Sequence, residues 1–291
     1  MKPDKLQGQR YEQKYVIRED VAFGVRDFVG SYLALDEFGA TQTNYSYPVH
    51  SLYLDSDNLT LYRNTINGDK NRYKLRLRFY DSLSDAPVFF EIKRRCDNVI
   101  SKARGAVKRD AVESLLGGNL PSSSQMVSSN PRQLIALQEF CRHMTFIQAK
   151  PKAHVAYLRE AWMHPNDNSV RITMDREVRC CPEPTARLRS DMQNPVLVFG
   201  DQVVLELKFT SRFPNWFREL VRIYGLMQCG AAKYVDGVSL IGTHRLNQCV
   251  IQPNSPPAKK QESTLAKPSD DKALNTMAAN LNSGFAQKTT E

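Results

Sequence analysis

The residues in this 291-residue chain best suited to chemistry are basic and spaced two apart: Lys74, Arg76 and Arg78 alternate with Leu75, Leu77 and Phe79. In an extended strand successive side chains point to opposite faces, so the three cations share one side and the three apolar groups the other. Like charges packed side by side repel, so such a face is completed by an anion that joins them. The same two-sided rule recurs in five further segments. Glu12 and Lys14 share a face in Tyr11–Ile17, as do Glu91, Lys93 and Arg95 in Val88–Arg95, and Tyr157 and Arg159 in Ala153–Glu160. Arg171, Thr173 and Asp175 do so in Val170–Asp175, and Glu206 and Lys208 in Val203–Phe209.

Arginine grips phosphate oxygens bidentately and lysine supplies compact charge, so a row of phosphates is the anion this set fits. Glu12, Glu91, Asp175 and Glu206 lie on the same faces. Beside phosphate they are costly unless they pair with the cations or hold a metal, and hard oxygen ligands favour Mg²⁺ or Mn²⁺.

Two arrangements of these strands stay open. In an antiparallel sandwich the apolar faces meet and the charged faces see water. In a closed barrel with a polar, basic interior the apolar faces point outward beneath helices. The barrel gathers Lys14, Lys74, Arg76, Arg78, Lys93, Arg95, Arg159, Arg171 and Lys208 around one channel, where their repulsion calls for a polyanion. The positioning elements are otherwise ordinary. Helices are predicted over residues 19–33, with Val21, Val25, Phe28, Val29 and Tyr32 at helical spacing, over 132–144, and over 214–227 behind Pro214. A strand is predicted at Val49–Asp55, and Val99–Val107 reads as a strand or a basic loop. The Gly- and Ser-rich stretch 117–130 divides the sequence into halves without dividing the core, and 180–194 reads as irregular.

Composition bounds the rest. The net charge is +9 and the pI about 9.2, with 41% hydrophobic and 24% charged residues, which points to a globular protein with an anionic partner. Residues 1–251 read as one domain. Residues 252–291 carry five lysines and four acids, and are rich in Pro, Ser and Asn; they read as a disordered tail, with a conditional helix around Leu274–Leu281. Six cysteines include no CxxC pair, so neither a zinc site nor a disulfide framework is expected. The first ten residues have no apolar signal core and no run reaches about 18 apolar residues, which leads to the expectation of a cytoplasmic protein with reduced thiols and no membrane span. No GxxxxGK[ST], GxGxxG or HExxH motif occurs. The five histidines are scattered and read as structural or exposed, and Trp162 and Trp216 as packing residues.

The order Tyr11-Glu12-Gln13-Lys14-Tyr15, Ser51–Asp55, Lys74-Leu75-Arg76-Leu77-Arg78, Glu91-Ile92-Lys93, Tyr157-Leu158-Arg159, Arg171–Asp175, Leu205-Glu206-Leu207-Lys208 and Lys233-Tyr234 resembles the VTC domain. This is the polyphosphate polymerase branch of the triphosphate tunnel metalloenzymes, a CYTH-like superfamily, and the resemblance runs from about residue 9 to 242. Each motif is short; their joint order is what is specific. The resemblance implies an α+β fold: a closed antiparallel β-barrel with helices packed outside, which binds ATP and inorganic polyphosphate with Mn²⁺ or Mg²⁺. It implies transfer of the γ-phosphoryl of ATP to a growing chain, with release of ADP. Carried over by position, Arg76, Arg78, Arg159, Arg171 and Lys208 act on the transferred group, and Lys14, Lys74, Lys93, Lys102, Tyr157 and Lys233 bind substrate. Glu206 is the metal ligand. The family has a serine before the Lys-Tyr pair where this chain has Ala232, which removes one phosphate hydrogen bond. The sensing domain and membrane helices of the eukaryotic complex have no counterpart here, so passage of product across a membrane is expected to need a partner protein.

Three rivals remain: a tunnel triphosphatase in which water attacks, a non-catalytic polyphosphate sensor, and a nucleic-acid-binding barrel. The last interleaves aromatic platforms with cations, whereas Phe79, Phe90 and Phe209 fall opposite them, so no nucleic-acid partner is expected.

Overall fold

A computed structural model describes residues 9–246 apart from 168. The expected tail, 252–291, and its conditional helix lie outside the described residues. The described residues have α+β architecture, with ten strands in a single antiparallel sheet.

The strands are β1 (Gln9–Ile17), β2 (Ala34–Leu35), β3 (Ser46–Asp55), β4 (Asn71–Phe79), β5 (Val88–Cys96), β6 (Val99–Val107), β7 (Lys150–Met163), β8 (Val170–Pro182), β9 (Val196–Leu197) and β10 (Val203–Phe209). The helices are α1 (Glu19–Gly30), α2 (Thr60–Ile66), α3 (Val112–Leu116), α4 (Pro131–Phe146), α5 (Asn215–Ile223) and α6 (Lys233–Ile241). Pairing runs β7-β3-β4-β5-β6-β1-β10-β8, and β8 pairs again with β7, so this ladder returns to the strand where it began. Its thinnest joint is β1–β6, held by two residue pairs, Gln9 with Ser101 and Arg10 with Ile100.

The apolar faces of the strands lie under helices. Leu75, Leu77, Phe79, Phe90 and Ile92 pack with Leu137, Phe140 and Met144 of α4. Tyr15, Ile172, Met174, Leu205 and Leu207 pack with Val25 and Val29 of α1 and with Phe217 and Leu220 of α5. Gly105 allows the close approach of α4, since a Cβ there would stand 2.5 Å from Leu137 Cγ and 2.7 Å from the Gln133 carbonyl. Asn130 caps α4 from its side chain and Pro131 opens it.

Several boundaries differ from the sequence reading. Of the two readings of Val99–Val107 the strand holds, with the same bounds and paired along its length with β5; the differences lie elsewhere. β3 begins before Pro48, at Ser46, where it already pairs with β7, while pairing with β4 starts only at His50. α5 stops at Ile223 because Gly225 turns the chain at φ 57° and the Tyr224 hydroxyl donates to the Gly24 carbonyl at 2.6 Å. β8 runs through Cys180 to Pro182, into the stretch read as irregular. A register irregularity opposite Tyr157 and a positive φ at Glu177 keep Val178 and Cys180 on the side of Asp175. That side is met by α6, which the sequence reading did not place. Its Tyr234, Val235, Val238 and Ile241 form a third core with Val49, Tyr53, Tyr157 and Val178, so this face of the sheet also carries apolar packing. Gly237 allows this packing, because a Cβ there would lie 2.6 Å from Cys180 Sγ. The described cysteines are all free thiols, and no helix among the described residues is long and apolar enough to cross a membrane.

Candidate functional site

Period-2 alternation dictates which side chains face α6 and the space beside it. β1 offers Glu12 and Lys14, β4 Lys74, Arg76 and Arg78, β5 Glu91 and Lys93, β6 Lys102 and Arg104. β7 adds Tyr157 and Arg159, β8 Arg171, Thr173 and Asp175, and β10 Glu206 and Lys208. Cross-strand register then brings them level: Lys14 stands opposite Glu206, Glu12 opposite Lys208, Arg76 opposite Glu91, and Arg159 opposite Asp175. Together they surround a cavity of about 760 Å³. The twelve residues carried over by position from the family resemblance all line it: Lys14, Lys74, Arg76, Arg78, Lys93, Lys102, Tyr157, Arg159, Arg171, Glu206, Lys208 and Lys233.

Arg95 does not belong to this set, contrary to the sequence reading. It is exposed at the end of β5, where its guanidinium donates to the Asp97 carbonyl at 2.7 Å in the β5–β6 turn. Sequence reasoning also missed lining residues, among them Arg10, Arg104, Tyr53, Tyr47 and Asp36. Arg104 could have been found from its spacing of two from Lys102, once that segment was taken as a strand. Arg10 could have been found in the same way, since it lies two residues before Glu12 on β1, whereas Asp36 carries no such signal because it follows the two-residue β2.

The carboxylates are each surrounded by cations. Glu206 lies 2.6 Å from Lys208, 3.0 Å from Lys233, 3.4 Å from Lys14 and 3.9 Å from Arg159. Asp175, fully buried, accepts both arms of Arg159 at 2.7 Å and lies 2.7 Å from Lys233. Glu91, also fully buried, sits 2.8 Å from Arg76 and 2.6 Å from Lys102, with Arg104 at 3.5 Å and Arg78 at 3.9 Å. Glu12 holds Lys93 at 3.0 Å and Lys14 at 3.4 Å. Tyrosine hydroxyls complete the frame: Arg76 donates to Tyr53 at 3.1 Å and Arg78 to Tyr157 at 3.0 Å.

Electrostatics follow from that crowding. Burial opposes ionisation of Glu12, Glu91 and Glu206, yet the lysines and arginines around them outweigh it and hold all three below the usual carboxylate range. Burial also opposes charging of Lys233, but Asp175 and Glu206 outweigh it and raise its pKa. Lys208 is pushed down to about 7 by burial, against the pull of Glu206 and with the help of Arg159. Lys74 is pushed down to about 7 by burial and by Lys14 and Lys93, and it makes no hydrogen bond or ion pair among the described residues.

Twelve Lys and Arg side chains line the cavity against four carboxylates, Glu12, Asp36, Glu37 and Glu206, with Glu91 and Asp175 buried behind them. The excess is positive and multiple. The Nε–H groups of Arg78, Arg104 and Arg171 are buried without a hydrogen-bond acceptor, a cost of ~1–3 kcal/mol for each such donor that phosphate oxygens in the cavity would remove. Ala232, where a hydroxyl residue is expected, lines the cavity and spends its N–H on Asp236 at 2.7 Å, opening α6. Among the described residues no group of three or more His, Cys, Asp or Glu is placed to hold a metal ion. A cation caged by protein ligands alone therefore has no donor set among these residues, and Glu206 is a lining carboxylate that could contribute one ligand. His50 and His154 form a buried pair 3.1 Å apart on the opposite side of the sheet, against Phe79, and His164 lines the cavity.

The family model described as the VTC domain matches residues 9–241. Over 225 residues the chain is 24% identical to vacuolar transporter chaperone complex subunit 2 of Schizosaccharomyces pombe, an alignment covering 65% of this chain and 30% of that protein. Among solved structures, a candidate adenylate cyclase from Bacillus halodurans superposes with a TM-score of 0.45 at 12% identity, over 78% of this chain and 96% of its own.

Proposed function

Since the chain belongs to the VTC domain family, we propose that its ring of strands is a closed tunnel in which the γ-phosphoryl of ATP passes to a growing inorganic polyphosphate chain. The observation that carries this reading is the cavity itself: twelve Lys and Arg side chains, three of the arginines with unsatisfied buried N–H donors, around a space large enough for several phosphates.

Phosphoryl transfer asks chiefly for in-line positioning and for neutralisation of charge on the transferred group. A terminal phosphate oxygen of the chain attacks the γ-phosphorus, the bond to the β,γ-bridging oxygen breaks, and ADP departs with that electron pair. Arg76, Arg78, Arg159 and Arg171 supply forked donors to the equatorial oxygens. Their frames of Tyr53, Tyr157 and Asp175 hold the guanidinium planes without reorganisation. Lys14, Lys93, Lys102, Lys208 and Lys233 balance charge, and Lys74 and Lys208, poised near neutrality, take up protons as phosphate enters. Glu206 would hold Mn²⁺ or Mg²⁺, which when bound to phosphate oxygens adds positive charge on the transferred group. No protein nucleophile is required.

The test is incubation of the purified protein with ATP and Mn²⁺ or Mg²⁺, with and without a short polyphosphate primer. A ladder of long chains with ADP formed in excess of free phosphate supports the reading, as does its loss in Arg78→Met. Equal ADP and free phosphate with no ladder would assign the cavity to hydrolysis instead. Tight polyphosphate binding without turnover would leave a sensor. The chain spans 30% of the length of its S. pombe relative, and that relative is named as a subunit of a complex, so a protein partner for this chain belongs to the same proposal.

A further inference from the structure

The cavity is not basic throughout. Phe38, Tyr47 and Tyr80 line it together, with ring centroids 5.6 Å apart for Phe38–Tyr47 and 6.4 Å for both Phe38–Tyr80 and Tyr47–Tyr80. Phe38 and Tyr80 are nearly parallel, at 7°. Phe38 lines the cavity and is nonetheless 61% exposed, which places this cluster at the mouth. An aromatic ring left this open beside a charged cavity has a π-face to offer to another flat group.

The same stretch brings the cavity's other exception, a local concentration of acceptors. The Asp36 carboxylate accepts from the Tyr47 hydroxyl at 2.8 Å and from Arg171 at 3.1 Å. Glu37 lines the cavity, is exposed, and makes no hydrogen bond or ion pair among the described residues. Carboxylates repel phosphate, so this mouth is unsuited to a bare phosphate chain. They accept hydrogen bonds from hydroxyl and amino groups, the groups that a ribose and a base carry. Arg78 lies two residues before Tyr80, which directly follows β4, and both line the cavity, so the change from aromatic rim to phosphate clamp takes only a few ångströms of chain.

We infer that the Phe38–Tyr47–Tyr80 rim is the subsite for the nucleoside end of a nucleoside triphosphate, the base lying on Phe38 and the phosphates running inward to Arg78. This rests on the proposed reading of the cavity as a phosphate site. It adds a direction: the nucleotide enters tail first, and its base stays at the aromatic mouth. It also adds a specificity, because every base has a π-face and stacking discriminates weakly among them, so the site should favour nucleotides over bare triphosphate without strong choice of base.

The experiment compares wild type, Phe38→Ala and Phe38→Trp, titrated calorimetrically in EDTA with inorganic tripolyphosphate and, separately, with the β,γ-imido analogue of ATP. Phe38→Ala is expected to weaken the ATP analogue by about tenfold or more, the scale of one base–aromatic stack. Tripolyphosphate affinity should stay within about twofold, and Phe38→Trp should restore binding of the analogue. If Phe38→Ala weakens both ligands equally, or neither, the base subsite is refuted while the phosphate site stands. If wild type binds neither ligand, the proposed function falls and this inference with it.

Discussion

Replacing Glu206 by Gln separates two roles that its position allows, charge balance and metal binding. The wild-type carboxylate has Lys208, Lys233 and Lys14 within 3.4 Å. Removing one partner of a buried ion pair and leaving the other uncompensated costs ~3–5 kcal/mol. For a domain of this size each kcal/mol shifts Tm by about 2–4 °C, so the free variant should melt about 6–20 °C below wild type and still fold. The sign reverses when an anion is supplied. A phosphate charge about 6 Å from the lost carboxylate, at an effective dielectric near 20, interacted unfavourably with it by about 3 kcal/mol. Metal-free tripolyphosphate should therefore bind Glu206→Gln roughly ten- to a hundredfold more tightly, allowing for screening, and give it the larger thermal shift. Turnover with ATP and Mn²⁺ should nevertheless be lost. Scanning calorimetry with and without tripolyphosphate in EDTA reads both effects. A variant melting within about 2 °C of wild type, or one that binds metal-free tripolyphosphate more weakly than wild type, would refute the charge-balance reasoning.

Binding should also depend on pH. Lys74 and Lys208 sit near 7 in the free protein, and an entering anion raises both, so binding takes up protons above that pH. Tripolyphosphate affinity should fall between pH 7 and 9, by up to about tenfold per unit for each lysine. Lys74→Met should flatten this slope by about one lysine's share, whereas a flat wild-type profile would contradict it. Asp55 is fully buried and accepts from the Ser56, Leu61 and Tyr62 amides and from the Tyr234 hydroxyl. Asp55→Ala should cost ~2–4 kcal/mol by orphaning those donors, and Tyr234→Phe about 1 kcal/mol, both read by urea unfolding. Gly237→Ala forces a methyl against Cys180, and overpacking of this kind costs ~1–3 kcal/mol. The double change Gly237→Ala with Cys180→Gly, which removes both the Sγ at 2.6 Å and the Cβ at 2.7 Å, should recover part of that loss.

Local alternation carried most of the site. In a strand the period of two depends only on backbone geometry, so Lys74, Arg76 and Arg78 had to share a face, as did Glu206 with Lys208 and Arg171 with Asp175, whatever the rest of the chain did. The composition of those faces, mostly cations with an acid here and there, was likewise sufficient to point to a polyanion. The same alternation is compatible with a sandwich and with a ring. Which strands meet is a long-range matter that no local pattern reports, as in β7 pairing with β3 on one edge and β8 on the other. Tertiary structure alone placed α6 against Val178 and Cys180, turned Arg95 out to the β5–β6 turn, and joined Asp175 and Glu206 through Lys233. It alone assembled the rim from Phe38, Tyr47 and Tyr80, which belong to a loop and two strand ends. A strand transmits its periodicity along itself, but which of its faces becomes an interior is set by the partners it meets.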